Sequence, residues 1–116
     1  MPKVFVTQIP ARLEAGVWMP TLDVSPAKEW GEVVVLLPSG QNFHAITDAV
    51  TGALDRLATE FDEQVDFYLP MGDTMVMIAG AACLGQCCSR FNMLKWDRHT
   101  RSYHSYNIVT PIRGNP

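Results

Sequence analysis

The sequence predicts an α/β fold: a three-layer sandwich, with a mainly parallel sheet of three or four strands, two main helices and a C-terminal antiparallel hairpin. Three observations predict it. The run Glu32–Pro38, EVVVLLP, is continuously apolar and β-branched, the composition of a central parallel strand buried on both faces. The segment after it repeats apolar residues at helical spacing and is followed by a second apolar run, Phe67–Leu69, which completes a strand–helix–strand unit. The chain then closes with two aromatic-rich runs around a short polar loop.

With 116 residues, 47% hydrophobic and 18% charged, the chain is one ordinary globular domain that can build a core without metal or disulfides. Residues 1–31 hold a strand, an irregular arm and a short helix. Residues 32–90 are expected to form a β-α-β-α core, 91–110 the hairpin and 111–116 a tail.

Lys3–Thr7, KVFVT, is a first strand that stops near Pro10. The following ARLEAGVWMPTLDV carries a turn signal at Gly16 and reads as an arm over the sheet, with Pro20 confining its second half to an edge. Trp18 and Met19 on this arm are expected to form a lid on the core, with a contact surface for a partner as the alternative. Ser25-Pro26-Ala27-Lys28-Glu29-Trp30-Gly31 has a capping serine, a proline suited to the first helical turn and a glycine exit. That predicts one or two helical turns.

In the first main helix, Phe43, Ile46, Val50, Ala53, Leu54, Leu57 and Phe61 share one side, and Asn42 is the expected cap. The second helix, capped by Asp73 and running from Thr74 to about Gly85 or Cys88, has almost no polar face. A helix apolar on every side is expected to be buried. Its small residues Ala79, Gly80, Ala82 and Cys83 allow close approach to the sheet. Phe91–Trp96 and Tyr103–Val109 form the hairpin, with Arg101 where glycine is commoner.

Ligands in open α/β sheets bind beyond the carboxyl ends of the parallel strands. Two Gly-containing loops occupy such positions, Pro38–Asn42 and Pro70–Thr74. Each leads into a helix N-terminus, where backbone N–H groups favour an anion. They define a candidate small-nucleotide site of Ser39, Gly40, Asn42, Gly72, Asp73 and Thr74, with His44 nearby. The competing reading is plain punctuation: glycines that permit turns, and Asn42 and Asp73 as helix caps. Asp73 also repels phosphate, and neither loop matches a Walker A or GxGxxG pattern.

A net charge of −3 argues against general nucleic-acid binding, although Arg90, Lys95, Arg98 and Arg101 gather near the hairpin. Trp96, Arg98, His99, Arg101, Tyr103 and Tyr106, with Trp18, are residue types that protein–protein hot spots favour. They point to a protein partner, a second copy of the chain included. The clustered Cys83, Cys87 and Cys88 make no disulfide framework and no zinc spacing; two are expected as core residues and one as a free thiol. No catalytic residue set, metal site or cofactor fingerprint stands out. With no signal-peptide layout and no apolar run of membrane-spanning length, a reduced cytoplasmic protein is expected.

Taken together, VVVLLPSG, DFYLPMGDTMVMIAGA and MLKWDRHTRSYHSYNI resemble segments of small uncharacterised proteins of tailed bacteriophages. The resemblance implies a viral accessory protein acting in the infected bacterial cytoplasm and carries over no site residues. A fainter similarity is to small viral α/β proteins that bind or cleave cyclic oligonucleotide signals of host defence, whose catalytic motifs have no match here.

Overall fold

The computed structural model describes residues 1–40 and 46–110. The chain starts in the middle of a five-stranded sheet. Strand β1, Lys3–Gln8, lies between β4, Glu32–Leu37, and β5, Phe67–Leu69, parallel to both. Strand β6, Arg90–Asp97, continues the parallel set, and β7, Ser102–Val109, closes it antiparallel. The order β4-β1-β5-β6-β7 is, counting only these strands, the doubly wound order 2-1-3-4-5 with its last strand reversed.

The strand expected at the centre lies at the edge. β4 has only Leu37 buried, and Val35 is 37% exposed; the fully covered strand is β1, whose Val4, Phe5 and Val6 are completely buried. A β-branched apolar run suits a central strand, but the crossover from β4 to β5 passes over β1 and leaves β4 outermost.

Helix α1, Asp48–Glu60, and helix α2, Thr74–Cys87, pack together on one face. Leu57 of α1 and Leu84 of α2 meet Phe5, Tyr68 and Phe91 there. On the other face Ala27, from a 3₁₀ helix at Ser25–Glu29, sits among Val4, Val6, Leu69, Leu94 and Tyr103. Trp30 adds an edge-on contact with Phe67 at 5.3 Å.

Caps differ from expectation. α1 starts at Asp48 with Thr47 as its cap, the Thr47 hydroxyl accepting from the Val50 amide; Asn42 lies outside the described residues. In the 3₁₀ helix Val24 holds the cap position, while Ser25 donates its amide and hydroxyl to Asp23. Asp73 caps α2 as expected, accepting from Met75 and Val76.

The arm folds as a separate hairpin, β2 at Ala11–Glu14 and β3 at Val17–Pro20, turning through Ala15 and Gly16 at φ 50° and 79°. Two consecutive positive φ values mark a type I′ turn.

Two burial expectations are overturned. The arm does not cover the core: Leu13, Val17, Trp18 and Met19 are all exposed. Nor is α2 buried all round. Only Val76, Gly80 and Leu84 of the helix are buried, and Ile78 is 65% exposed. The sheet beneath α2 and α1 beside it cover only one side of the helix, so its apolar composition exceeds what the domain itself buries.

Gly80 sets how closely α2 meets the sheet. Tyr68, fully buried, donates its hydroxyl to the Met77 carbonyl at 2.6 Å, and a Cβ on Gly80 would stand 2.3 Å from that hydroxyl. Alanine is ordinarily better than glycine inside a helix by up to about 1 kcal/mol. Here overpacking reverses the sign: Gly80→Ala is expected to destabilise by about 1–3 kcal/mol in urea unfolding.

Candidate functional site

The carboxyl ends of β4, β1 and β5 frame a crevice where the chain connections part. β1 leads into the arm and 3₁₀ helix on one face, and β5 leads into α2 on the other. This is the switch-point position at which doubly wound sheets hold ligands. The crevice has a volume of about 230 Å³ and is lined by Gln8, Pro10, Trp18, Gly40, Gly72 and Asp73.

Gly40, Gly72 and Asp73 of the expected site therefore do come together. Ser39 precedes Gly40 and Thr74 opens α2, but neither lines the crevice; Asn42 and His44 lie outside the described residues.

The crevice is built to join loops. Gln8, a residue the sequence reading passed over, donates its side-chain amide to the Pro38 carbonyl at 3.0 Å and accepts from the Asp73 amide at 2.9 Å. One side chain thus ties the loop after β4 to the loop after β5. Thr7 beside it does the same for Met71, bonding both its carbonyl and its amide. The signal was a polar Thr-Gln pair ending an apolar strand, a placement that burial tolerates only with partners.

Both crevice glycines are needed for close approach. Gly72, at φ 89°, would put a Cβ 2.6 Å from the Gln8 carbonyl, and Gly40, at φ 82°, would put one 2.3 Å from the Trp18 ring. Trp18 thus lies across the mouth of the crevice. At the helix end, the amides of Asp73, Met75 and Val76 are already bonded to Gln8 or to the Asp73 carboxylate. An anion there meets a negative charge and occupied donors.

A larger open groove, about 960 Å³, lies at the carboxyl end of β6, under the 3₁₀ helix and the terminal hairpin turn. Leu22, Pro70, Met71, Leu94, Trp96 and Tyr103 give it an apolar floor. Trp96 packs edge-on against Tyr103 at 4.9 Å, and burial, then the nearby Asp23 charge, pushes the Tyr103 phenol up. Lys95 and Arg98 supply cations at the groove wall. Leu22, 48% exposed, joins this groove to the apolar arm.

The expected partner-binding residues are thereby divided. Trp96, Arg98 and Tyr103 line the groove. His99 and Arg101 belong to the turn, where the Asp97 carboxylate accepts from the His99 amide and Arg101 takes φ 54°, the left-handed position expected from its place. Tyr106 pairs with Met93 on the helix-bearing face. Trp18 belongs to the crevice.

The turn also gathers Asp97, Thr100, Ser102 and His104. Their oxygens all approach one nitrogen, His104 Nε2, at 3.6, 2.8 and 3.3 Å. A nucleophile–base–acid relay uses the two imidazole nitrogens separately, so this cluster is a turn brace. The amides of His99 and Thr100 hold the Asp97 carboxyl below its ordinary value, aided by His104.

Cys88 is buried and Cys87 exposed, their sulfurs 3.9 Å apart. Burial first, then Cys87, pushes the Cys88 thiol up to about 12. Among the described residues no group of three or more His, Cys, Asp or Glu is placed to hold a metal, and no helix is long and apolar enough to cross a membrane.

Fold and sites together define a small α/β protein with a mixed five-stranded sheet, a loop-tying crevice, an exposed apolar arm and a separate apolar groove. The chain belongs to the phage Pam3 gp32-like protein family, whose model matches residues 2–110. It is thus a bacteriophage protein, as the resemblance of its segments implied. Nothing among curated proteins and nothing among solved structures matches it.

Gln8→Leu strands the Pro38 carbonyl and the Asp73 amide and is expected to lower stability by about 1–3 kcal/mol in urea unfolding. At pH 8, iodoacetamide is expected to label Cys87 in the folded protein and Cys88 only after unfolding. A folded-state thiol value above the ordinary 9.0 means that the Cys88 contribution is complete below pH 9 and declines as pH rises toward 12. Flat stability across that range, with Cys88 intact, contradicts the assignment.

Proposed function

We propose that this phage protein is a non-enzymatic accessory protein that binds a host or viral protein in the infected bacterial cytoplasm, and that it also self-associates through its terminal hairpin. One observation carries the reading. The arm leaves Leu13, Trp18, Met19 and Leu22 exposed, and Leu22 also lines the groove floored by Leu94, Trp96 and Tyr103. Isolated two-stranded hairpins are marginal in water, and an apolar one beside an apolar groove is the layout of a docking surface. The groove volume falls within the range of formed binding sites. Lys95 and Arg98 carry no ion-pair partner among the described residues, which suits a partner segment with acidic residues beside its apolar anchors.

The second reading places a nucleotide or cyclic oligonucleotide, bound or hydrolysed, in the crevice at Gly40 and Gly72. Its switch-point position favours it; its small volume, the Asp73 charge and the occupied amides weigh against it. Gly72→Ala cannot test it cleanly, because that change breaks the approach to Gln8.

Affinity capture from phage-infected cells, with wild-type protein and a Trp96→Ala/Arg98→Glu variant side by side, tests the main reading. A captured protein whose affinity falls about 30-fold or more in the variant is expected, since loss of one aromatic hot spot costs about 2 kcal/mol. Equal capture by both overturns the groove assignment. For the crevice, a nucleotide panel that raises stability by about 2.7 kcal/mol at 100 times Kd supports the second reading, and no shift across the panel removes it.

A further inference from the structure

Strand β7 is a sheet edge, Ser102–Val109, with no proline and no Asp, Glu, Lys or Arg. Its register with β6 runs without a bulge from Arg90 opposite Val109 to Asp97 opposite Ser102. Soluble proteins usually blunt an edge of this length with charge, proline, a bulge or a covering element. Here two large apolar side chains stand open on it, Tyr106 at 47% and Val109 at 69% exposure.

The hairpin register also settles which way β7 side chains point. Tyr103, Ser105, Asn107 and Val109 share the face of Leu94 and Trp96; His104, Tyr106 and Ile108 share that of Phe91 and Met93.

We infer that β7 pairs antiparallel with β7 of a second copy of this chain, about a two-fold axis perpendicular to the sheet and centred on Tyr106. Such an axis preserves faces, so directly opposed residues must share a face and the axis passes through a residue, not between two. Centring on Tyr106 opposes the run Tyr103–Val109 to itself and leaves Ser102 facing Thr110. Centring on Ser105 leaves Val109 facing Arg101 of the turn and sets no aromatic pair at the axis, and centring on Asn107 leaves Ser102, Tyr103 and His104 without a strand residue opposite. Tyr106 then faces its own copy, His104 faces Ile108, Ser105 faces Asn107 and Tyr103 faces Val109. An aromatic pair forms at the axis, Val109 gains an aromatic neighbour, and no like charges oppose one another. The backbone groups of the edge gain partners along a joined ten-stranded sheet. Both copies of the uncharged helix α2 come to lie on one face of that sheet, flanking the seam.

This inference deepens the self-association part of the proposed function and rests on it; the groove part stands separately, since Trp96→Ala leaves the β7 edge intact. Multi-angle light scattering over a concentration series into the upper micromolar range is expected to show twice the 12.9 kDa chain mass. Tyr106→Lys, which sets two cations face to face at an exposed position, is expected to weaken the dimer at least tenfold with an unchanged far-UV spectrum. In a Cys87→Ser background, Tyr106→Cys is expected to cross-link between copies on mild oxidation and Ser105→Cys not to. Single-chain mass throughout overturns the pairing, as does a dimer indifferent to Tyr106→Lys. Cross-linking through Ser105→Cys instead overturns the register.

Discussion

Gln8 holds the upper end of the sheet together. Its side chain reaches the Pro38 carbonyl on one side and the Asp73 amide on the other, so loops from two different strands are fixed to the end of a third. Thr7 fastens Met71 in the same way. At the opposite end the buried Asp66 carboxylate accepts from the Lys3 and Asp62 amides. The central strand is thus clasped at both ends by polar groups that burial obliges to be paired, and the apolar faces of Val4, Phe5 and Val6 are positioned between the clasps. Gly72 and the start of α2 take their place from this arrangement.

That constraint bears directly on function. A switch-point crevice ordinarily offers backbone N–H groups to a ligand. In this chain the amides of Asp73, Met75 and Val76 bond to Gln8 or to the Asp73 carboxylate, and Trp18 lies over Gly40. The apolar surface that the fold leaves uncovered lies elsewhere, on the arm, the groove beneath Trp96, the outer side of α2 and the β7 edge. These are the surfaces through which the proposed binding of another protein would act.

Much of the architecture was legible because local signals and tertiary structure agree. Phe67–Leu69, the Asp73 cap, the terminal hairpin and Arg101 at its left-handed position could be read from pattern and turn chemistry. Strand order could not. EVVVLLP carries a central-strand composition, yet its place at the edge follows from the crossover over β1, a relation between distant segments. The composition of α2 suggested burial on all sides, but one layer of neighbours covers one stripe only. Of the site, the facing of Gly40 and Gly72 was legible from loop positions. Gln8 was not, because its role depends on carbonyl and amide groups thirty and sixty-five residues away. The separation of Tyr106 from Trp96 and Tyr103 came from register, which composition does not encode.

In the proposed function, recognition belongs to the arm and groove, and the crevice serves the fold. Amide chemical-shift mapping of isotope-labelled protein against its captured partner tests this most directly. The largest changes are expected at Leu22, Leu94, Trp96, Arg98 and Tyr103, extending along the arm through Leu13 and Met19. Changes confined to Gln8, Gly40, Gly72 and Asp73 would contradict it.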